Sequence, residues 1–209
     1  MTLQSRLKIA FNLTLFSLLC MLPALLLGWD LFTDQLGANP VEALEHTTGN
    51  WVVYFLLLTL SVSPLQKALK TLKRTSFNAS KWLIPVHLVR RILGLSAFGY
   101  ALLHATAYLL FDMGLSWEDT LIDLVDRPFI LIGFIALLLL VPLAVTSTQG
   151  WQCRLKRHWQ TLHSSIYLLT FLGILHYALL VKADLLMPLL YFGLFATLML
   201  MRFRRPKNR

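Results

Sequence analysis

Charge is scarce in this chain, and charge of one sign is missing from half of its connections. Only 14% of the 209 residues are charged while 57% are hydrophobic, a balance that excludes an ordinary soluble domain, and the length allows one compact bundle at most. There are two cysteines, Cys20 in an apolar run and Cys153 in a basic loop, so neither a disulfide framework nor a thiolate metal site is available. The sequence has no Cys-x-x-Cys-His, which excludes c-type haem attachment. It has no Gly-x-Gly-x-x-Gly, no soluble flavin domain and no Ser-His-Asp constellation placed for hydrolysis. Internal repeats and low-complexity segments are absent too, and the connections Trp29 to Thr48 and Asp112 to Arg127 are too short to fold alone.

What the chain does have is apolar length. Runs of about 20 apolar residues, enough to cross a hydrocarbon core roughly 30 Å thick, can be read six times: near Ile9 to Gly28, Asn50 to Leu69, Leu83 to Phe111, Pro128 to Ser147, Leu162 to Val181 and Leu185 to Met201. The expected fold class is therefore all-α, an integral membrane bundle of six transmembrane helices forming a single domain over residues 1–209. The first run is too long for the apolar stretch of a signal peptide, and no small-x-small cleavage site follows it, so it is expected to stay as an anchor.

The connections alternate in sign. Arg6 and Lys8 precede the first run; Lys67, Lys70, Lys73, Arg74 and Lys81 separate the second and third; Arg154, Lys156 and Arg157 separate the fourth and fifth; Arg202, Arg204, Arg205, Lys207 and Arg209 follow the sixth. All ten acids mark the other three connections: Asp30, Asp34, Glu42 and Glu45, then Asp112, Glu118, Asp119, Asp123 and Asp126, then Asp184. The positive-inside rule makes the basic side cytoplasmic, with both termini inside. A net charge of +9 held as short clusters at span ends serves topology and anionic lipid headgroups, not nucleic acid. The loop from Asp112 to Arg127, with Leu115, Leu121, Leu124 and Val125 among its acids, reads as a short amphipathic helix on the outer surface where a partner could dock.

Ionisable residues within spans are costly and mark function. His104 lies in the outer half of the third run, His163 at the inner end of the fifth and His176 toward its outer end. The 13 residues from His163 to His176 rise about 20 Å on a helix, one near each membrane face, and rotate by an amount that leaves about 220° between them, so the two share a face only across a bulge or kink. The third and fifth runs both travel outward, which brings His104 and His176 to one depth. A neutral imidazole from each of two helices is how b-type haem iron is clamped from both sides. The alternative is that these histidines donate interhelical hydrogen bonds.

Other polar residues are weaker candidates. Arg90 and Arg91 sit deep enough at the inner start of the third run to hold haem propionates or a flavin or quinone oxygen, or else serve topology. His87 could face His163 across a second haem. His46 is expected in the outer connection, as part of a helix cap or at the mouth of an outer pocket, and His158 in a solvated inner loop. Ala97, Ala101 and Ala105, with Gly173 one turn before His176, permit close approach of a flat macrocycle but more often mark helix packing.

Several of these residues fall in recognisable runs: Leu36-Gly-Ala-Asn-Pro-Val, Glu45-His-Thr-Thr-Gly49, Ser63-Pro-Leu65, Arg90-Arg-Ile-Leu-Gly-Leu95, Leu103-His104 with Tyr108, Arg127-Pro128, Leu143-Ala-Val-Thr-Ser-Thr148, His158-Trp-Gln-Thr-Leu-His163 and His176-Tyr177. In these runs and their spacing, over nearly its whole length, the chain resembles the MsrQ (formerly YedZ) family, which looks like a minimal version of the ferric-reductase-like transmembrane domain of NADPH oxidases. The resemblance implies a haem b-binding subunit of the bacterial cell inner membrane that passes electrons to MsrP, a periplasmic molybdopterin enzyme reducing methionine sulfoxide in oxidised proteins. It implies the quinone pool or a cytosolic flavin reductase as donor, FMN as a second cofactor, and His104, His163 and His176 as haem ligands. The larger oxidases carry two histidines on each of two helices. Here Arg90 stands where the fourth would fall, which leaves the haem count at one or two.

A protein of this kind performs one-electron transfer and is not expected to reduce methionine sulfoxide by itself. The main competing reading is a small proton-coupled transporter relaying protons through intramembrane histidines, against which no run holds a buried carboxylate partner and no inverted repeat is visible. A purely structural anchor would leave His104 and His176 unexplained.

Overall fold

In the computed structural model, residues 3–72, 85–181 and 185–203 are described. The expected topological residues Lys73, Arg74, Lys81, Asp184, Arg204, Arg205, Lys207 and Arg209 lie outside them. Among the described residues the chain is helical and has no strand. The helices are α1 (Leu3–Phe32), α2 (Pro40–Leu72), α3 (Val86–Ala107, extended by a π-helical turn Tyr108–Asp112), α4 (Trp117–Asp126), α5 (Pro128–Val145), α6 (Gln149–Leu155), α7 (Arg157–Ser164), α8 (Ile166–Leu180) and α9 (Leu186–Phe203). Five helical stretches are long and apolar enough to cross a membrane, with α7 and α8 counted as one, and α9 is a sixth, shorter apolar helix. The protein is an all-α membrane bundle.

α2 starts ten residues before the expected second run. Asn39 accepts from the backbone N–H of Glu42 at 3.3 Å and donates to the Glu42 carboxylate at 2.9 Å, with Pro40 at the first helical position. This reciprocal cap stabilises a helix start whatever the polarity of the residues behind it. His46 therefore belongs to the second turn of α2 and not to a connecting loop, which corrects the cap reading; its Nε2 lies 3.9 Å from Glu42.

The fifth run is interrupted between its two histidines. α7 ends at Ser164 and α8 begins at Ile166, with Ser165 between them at φ −62°, ψ −12°. The helix pairs α2 with α3 and α5 with α8 make the most extensive contacts. Their core holds Phe55, Leu56, Leu93, Ala97, Tyr100, Leu140, Leu143 and Leu169. Ala97 is fully buried there, so in this stripe of small residues it serves helix packing, which in lipid is carried by close contact more than by expulsion of water.

On α3 one face is continuous: Arg90, Leu93, Ala97, Tyr100, His104 and Ala107 follow at alternating steps of three and four, the spacing that keeps side chains in line on a helix. Arg90 and His104 are half-buried on it and the residues between are buried, whereas Arg91 and His87 are exposed. Tyr100 enters α1, its hydroxyl donating to the Cys20 carbonyl at 3.1 Å and accepting from the Ala24 N–H at 2.8 Å. It thus bridges the helical ladder beside Pro23.

α4 forms where an amphipathic helix was expected, capped by Ser116, which accepts from the Asp119 N–H. Its orientation is unusual: Thr120 and Asp123 are buried, while Trp117, Leu121, Ile122 and Val125 are exposed. Tyr108 donates to Asp123 at 2.6 Å, and Arg127 pairs with the same carboxylate at 2.9 Å. Those bonds explain why a carboxylate tolerates burial.

Candidate functional site

The chemistry-bearing residues gather at the acidic end of the bundle. A cavity of about 370 Å³ opens there, lined among others by Glu45, His46, Gly49, Asn50, His104, Asp112, Gly173 and His176. Its volume is within the range of small-molecule and cofactor sites. His46 does line this pocket, and Gly173, with nothing nearer than a Leu56 methyl at 4.0 Å from a built Cβ, leaves room beside His176.

His104 from α3 and His176 from α8 face each other across it, ring centres 6.1 Å apart and planes at 81°. Each ring is anchored by its Nδ1. That of His104 lies 3.0 Å from the Glu45 carbonyl, with the Thr48 hydroxyl at 3.3 Å, and that of His176 lies 2.6 Å from the Phe129 carbonyl. Only an N–H can meet a carbonyl oxygen, so both rings are Nδ1–H tautomers whose Nε2 lone pair is left for a ligand. This carbonyl-oriented arrangement is the usual support of a metal-bound imidazole.

The two anchors are built alike. Glu45 and Gly49 are four residues apart on α2, and Phe129 and Gly133 are four apart on α5, so each carbonyl lies beside the residue one turn on. That residue is a glycine both times, and the histidine ring occupies the space a side chain would take. A Cβ on Gly49 would lie 3.3 Å from His104 Cε1, and one on Gly133 would lie 2.8 Å from His176 Nδ1. Sequence reasoning missed Gly133. The only signal for it was a lone glycine in an otherwise apolar helix, which in membranes more often marks packing.

The donor set suits a b-type haem. A metal–imidazole bond of about 2 Å on each side, with about 1 Å more from each nitrogen to its ring centre, puts two opposed imidazoles about 6 Å apart. The His pair has that separation. No group of three or more His, Cys, Asp or Glu side chains able to hold a bare metal ion occurs among the described residues, whereas a porphyrin brings four nitrogens of its own and asks the protein for two.

His163 stands apart from this pair, on α7. Its ring stacks on Trp159 at 3.9 Å, its Nδ1 donates to the Trp159 carbonyl at 3.1 Å, and its Nε2 is buried with no hydrogen-bond partner among the described residues. Trp159 is itself held by donating to the Thr146 carbonyl at 2.9 Å. His163 is thus also oriented through its Nδ1, with a bare Nε2. Arg90 reaches Ser63 Oγ at 2.5 Å, at the basic end. Arg91, the next residue, is exposed.

Residues 48–174 match the family described as ferric reductase like transmembrane component. A protein of Xanthomonas campestris pv. campestris (strain 8004) is 44% identical over 183 residues, covering 85% of this chain and 78% of its own. One of Xanthomonas euvesicatoria pv. vesicatoria is 42% identical over 192 residues, 89% of this chain and 83% of its own. One of Caulobacter vibrioides is 40% identical over 186 residues, 88% and 83%. All three carry the name protein-methionine-sulfoxide reductase heme-binding subunit MsrQ. With this identity over most of its length, the chain belongs to the MsrQ family of ferric-reductase-like membrane proteins.

Proposed function

We propose that this protein is the haem b-binding subunit of a bacterial inner-membrane system for repair of oxidised periplasmic proteins. It passes electrons from the quinone pool or a cytosolic flavin reductase to MsrP, a periplasmic molybdopterin methionine sulfoxide reductase. The observation that carries the reading is the His104–His176 pair, 6.1 Å apart with both Nδ1 atoms on backbone carbonyls. His104 and His176 hold the haem, which supplies reversible one-electron chemistry when bound. The chain keeps both imidazoles neutral, fixes their tautomer and walls the site with apolar helices.

The acidic end faces the periplasm and the basic end the cytosol. His163 and Arg90 serve the electron-accepting side, either as part of a second haem site or beside FMN, the second cofactor suggested by family likeness. Arg91 serves the lipid headgroups. The test is a reduced-minus-oxidised absorption spectrum of detergent-purified protein. We expect a low-spin b-type signal that His104→Ala and His176→Ala each abolish or convert to high spin. Wild-type haem content and spin state in both variants would refute the assignment.

A further inference from the structure

Three sides of α4 need three different surroundings. At about 100° per residue, Trp117, Leu121 and Val125 share an arc of about 80°, Asp119 and Asp126 project about 150° from its centre, and Thr120 with Asp123 takes the remaining side. Thr120 and Asp123 are buried against the bundle, where Tyr108 donates to Asp123. The apolar three are 76%, 62% and 81% exposed, and Asp119 and Asp126 are exposed as well. The bundle therefore meets the needs of one side only.

Water around the whole helix would leave the apolar arc hydrated at a cost that grows with its area. Hydrocarbon around it would strand the acids. Both needs are met where acyl chains give way to headgroups, with the helix lying along the membrane plane. Connectivity puts α4 at that level, because it joins two helices long and apolar enough to cross a membrane, α3 with its π-helical turn and α5. The apolar arc also continues surface that those spans already turn outward: Leu110 and Phe111 at the end of one, Leu131 and Phe134 in the other, all exposed. In the turn between, Gly114 has φ 54° and Leu115 φ 63°. A left-handed backbone is disfavoured for leucine, and the Leu115 side chain is 65% exposed, so nothing in the protein offsets that conformation, whereas an apolar medium outside does. Glu118 is the one acid near the arc. It stands on the first helical turn, where the helix dipole favours a carboxylate.

We propose that α4 binds the lipid surface at the acidic end of the bundle, its Trp117–Leu121–Val125 arc about 5–10 Å into the boundary between headgroups and acyl chains, and Asp119 and Asp126 in water. The placement is independent of the His104–His176 pair. Its test is electron paramagnetic resonance of the full-length protein in vesicles of phosphatidylethanolamine and phosphatidylglycerol, with C20A/C153A as background and spin labels placed singly. Labels on L121C and V125C should meet oxygen several-fold more readily than a water-soluble nickel chelate, and labels on D119C and D126C should show the reverse. Nickel access at 121 and 125 equal to that at 119 and 126 overturns the proposal and leaves the face to water. Labels at 121 and 125 that are immobile and shielded from both reagents overturn it in favour of a covering protein chain. If the cysteine-free background does not fold, as judged by size exclusion, the Trp117 fluorescence is read instead, as the difference between wild type and W117F. Lipids brominated high on the acyl chain should quench it strongly, and absence of quenching overturns the placement.

Discussion

Gly133 lies against the His176 ring so closely that a methyl group on it would meet Nδ1 at 2.8 Å, whereas the corresponding approach of Gly49 to His104 is 3.3 Å. The first contact cannot be accommodated without moving the ring off the Phe129 carbonyl; the second asks a few tenths of an ångström. Gly133→Ala should therefore lower haem content sharply or leave a mixed-spin spectrum, and Gly49→Ala should do so mildly, on top of an overpacking cost of about 1–3 kcal/mol. Haem per protein and the low-spin fraction of purified variants measure the order. A larger loss in Gly49→Ala would mean that the glycines do not set the rings.

Orientation in the membrane follows from where the acids stand. A reporter active only in the periplasm, fused after Asp126, should be active, and one fused after Lys156 should be silent. The opposite result would reverse the sides on which electrons are received and delivered.

His163 and the His104–His176 pair should separate kinetically. His163→Ala is expected to slow reduction by quinol or by a flavin reductase, while protein reduced chemically still passes electrons to MsrP. The stacked, carbonyl-anchored ring with a bare Nε2 motivates this. If the variant loses only delivery to MsrP, or loses nothing, the division of labour is wrong.

Tyr108→Phe should loosen α4. It removes the 2.6 Å bond to Asp123 and leaves that buried carboxylate with Arg127 alone, a loss of about 1–3 kcal/mol. Hydrogen exchange over residues 117–126 should accelerate while the helices carrying the histidines stay protected. Unchanged exchange would show that α4 is held by other contacts.

The sequence revealed the pairing of His104 with His176 because depth along a helix is a matter of counting residues. The same counting put His163 and His176 about 220° apart on an ideal helix, and the structure interrupts the helix between them at Ser165. The early start of α2 was missed because hydropathy measures fitness for lipid rather than helicity, although Asn39, Pro40 and Glu42 spelled a helix start. That Arg90 continues the three-and-four series through Leu93, Ala97, Tyr100 and His104 was legible in the sequence as well. Gly133 was illegible: α5 is apolar on every side, so no periodicity says which face meets the bundle.

The inverted face of α4 has a consequence for the site it adjoins. With Trp117, Leu121, Ile122 and Val125 turned outward and Asp123 tied to Tyr108, the helix suits the boundary between acyl chains and headgroups. Tyr108 is one turn from His104, so whatever level that float takes is transmitted to the imidazole. The lipid surface itself then becomes the ruler that fixes how far below the waterline His104 lies.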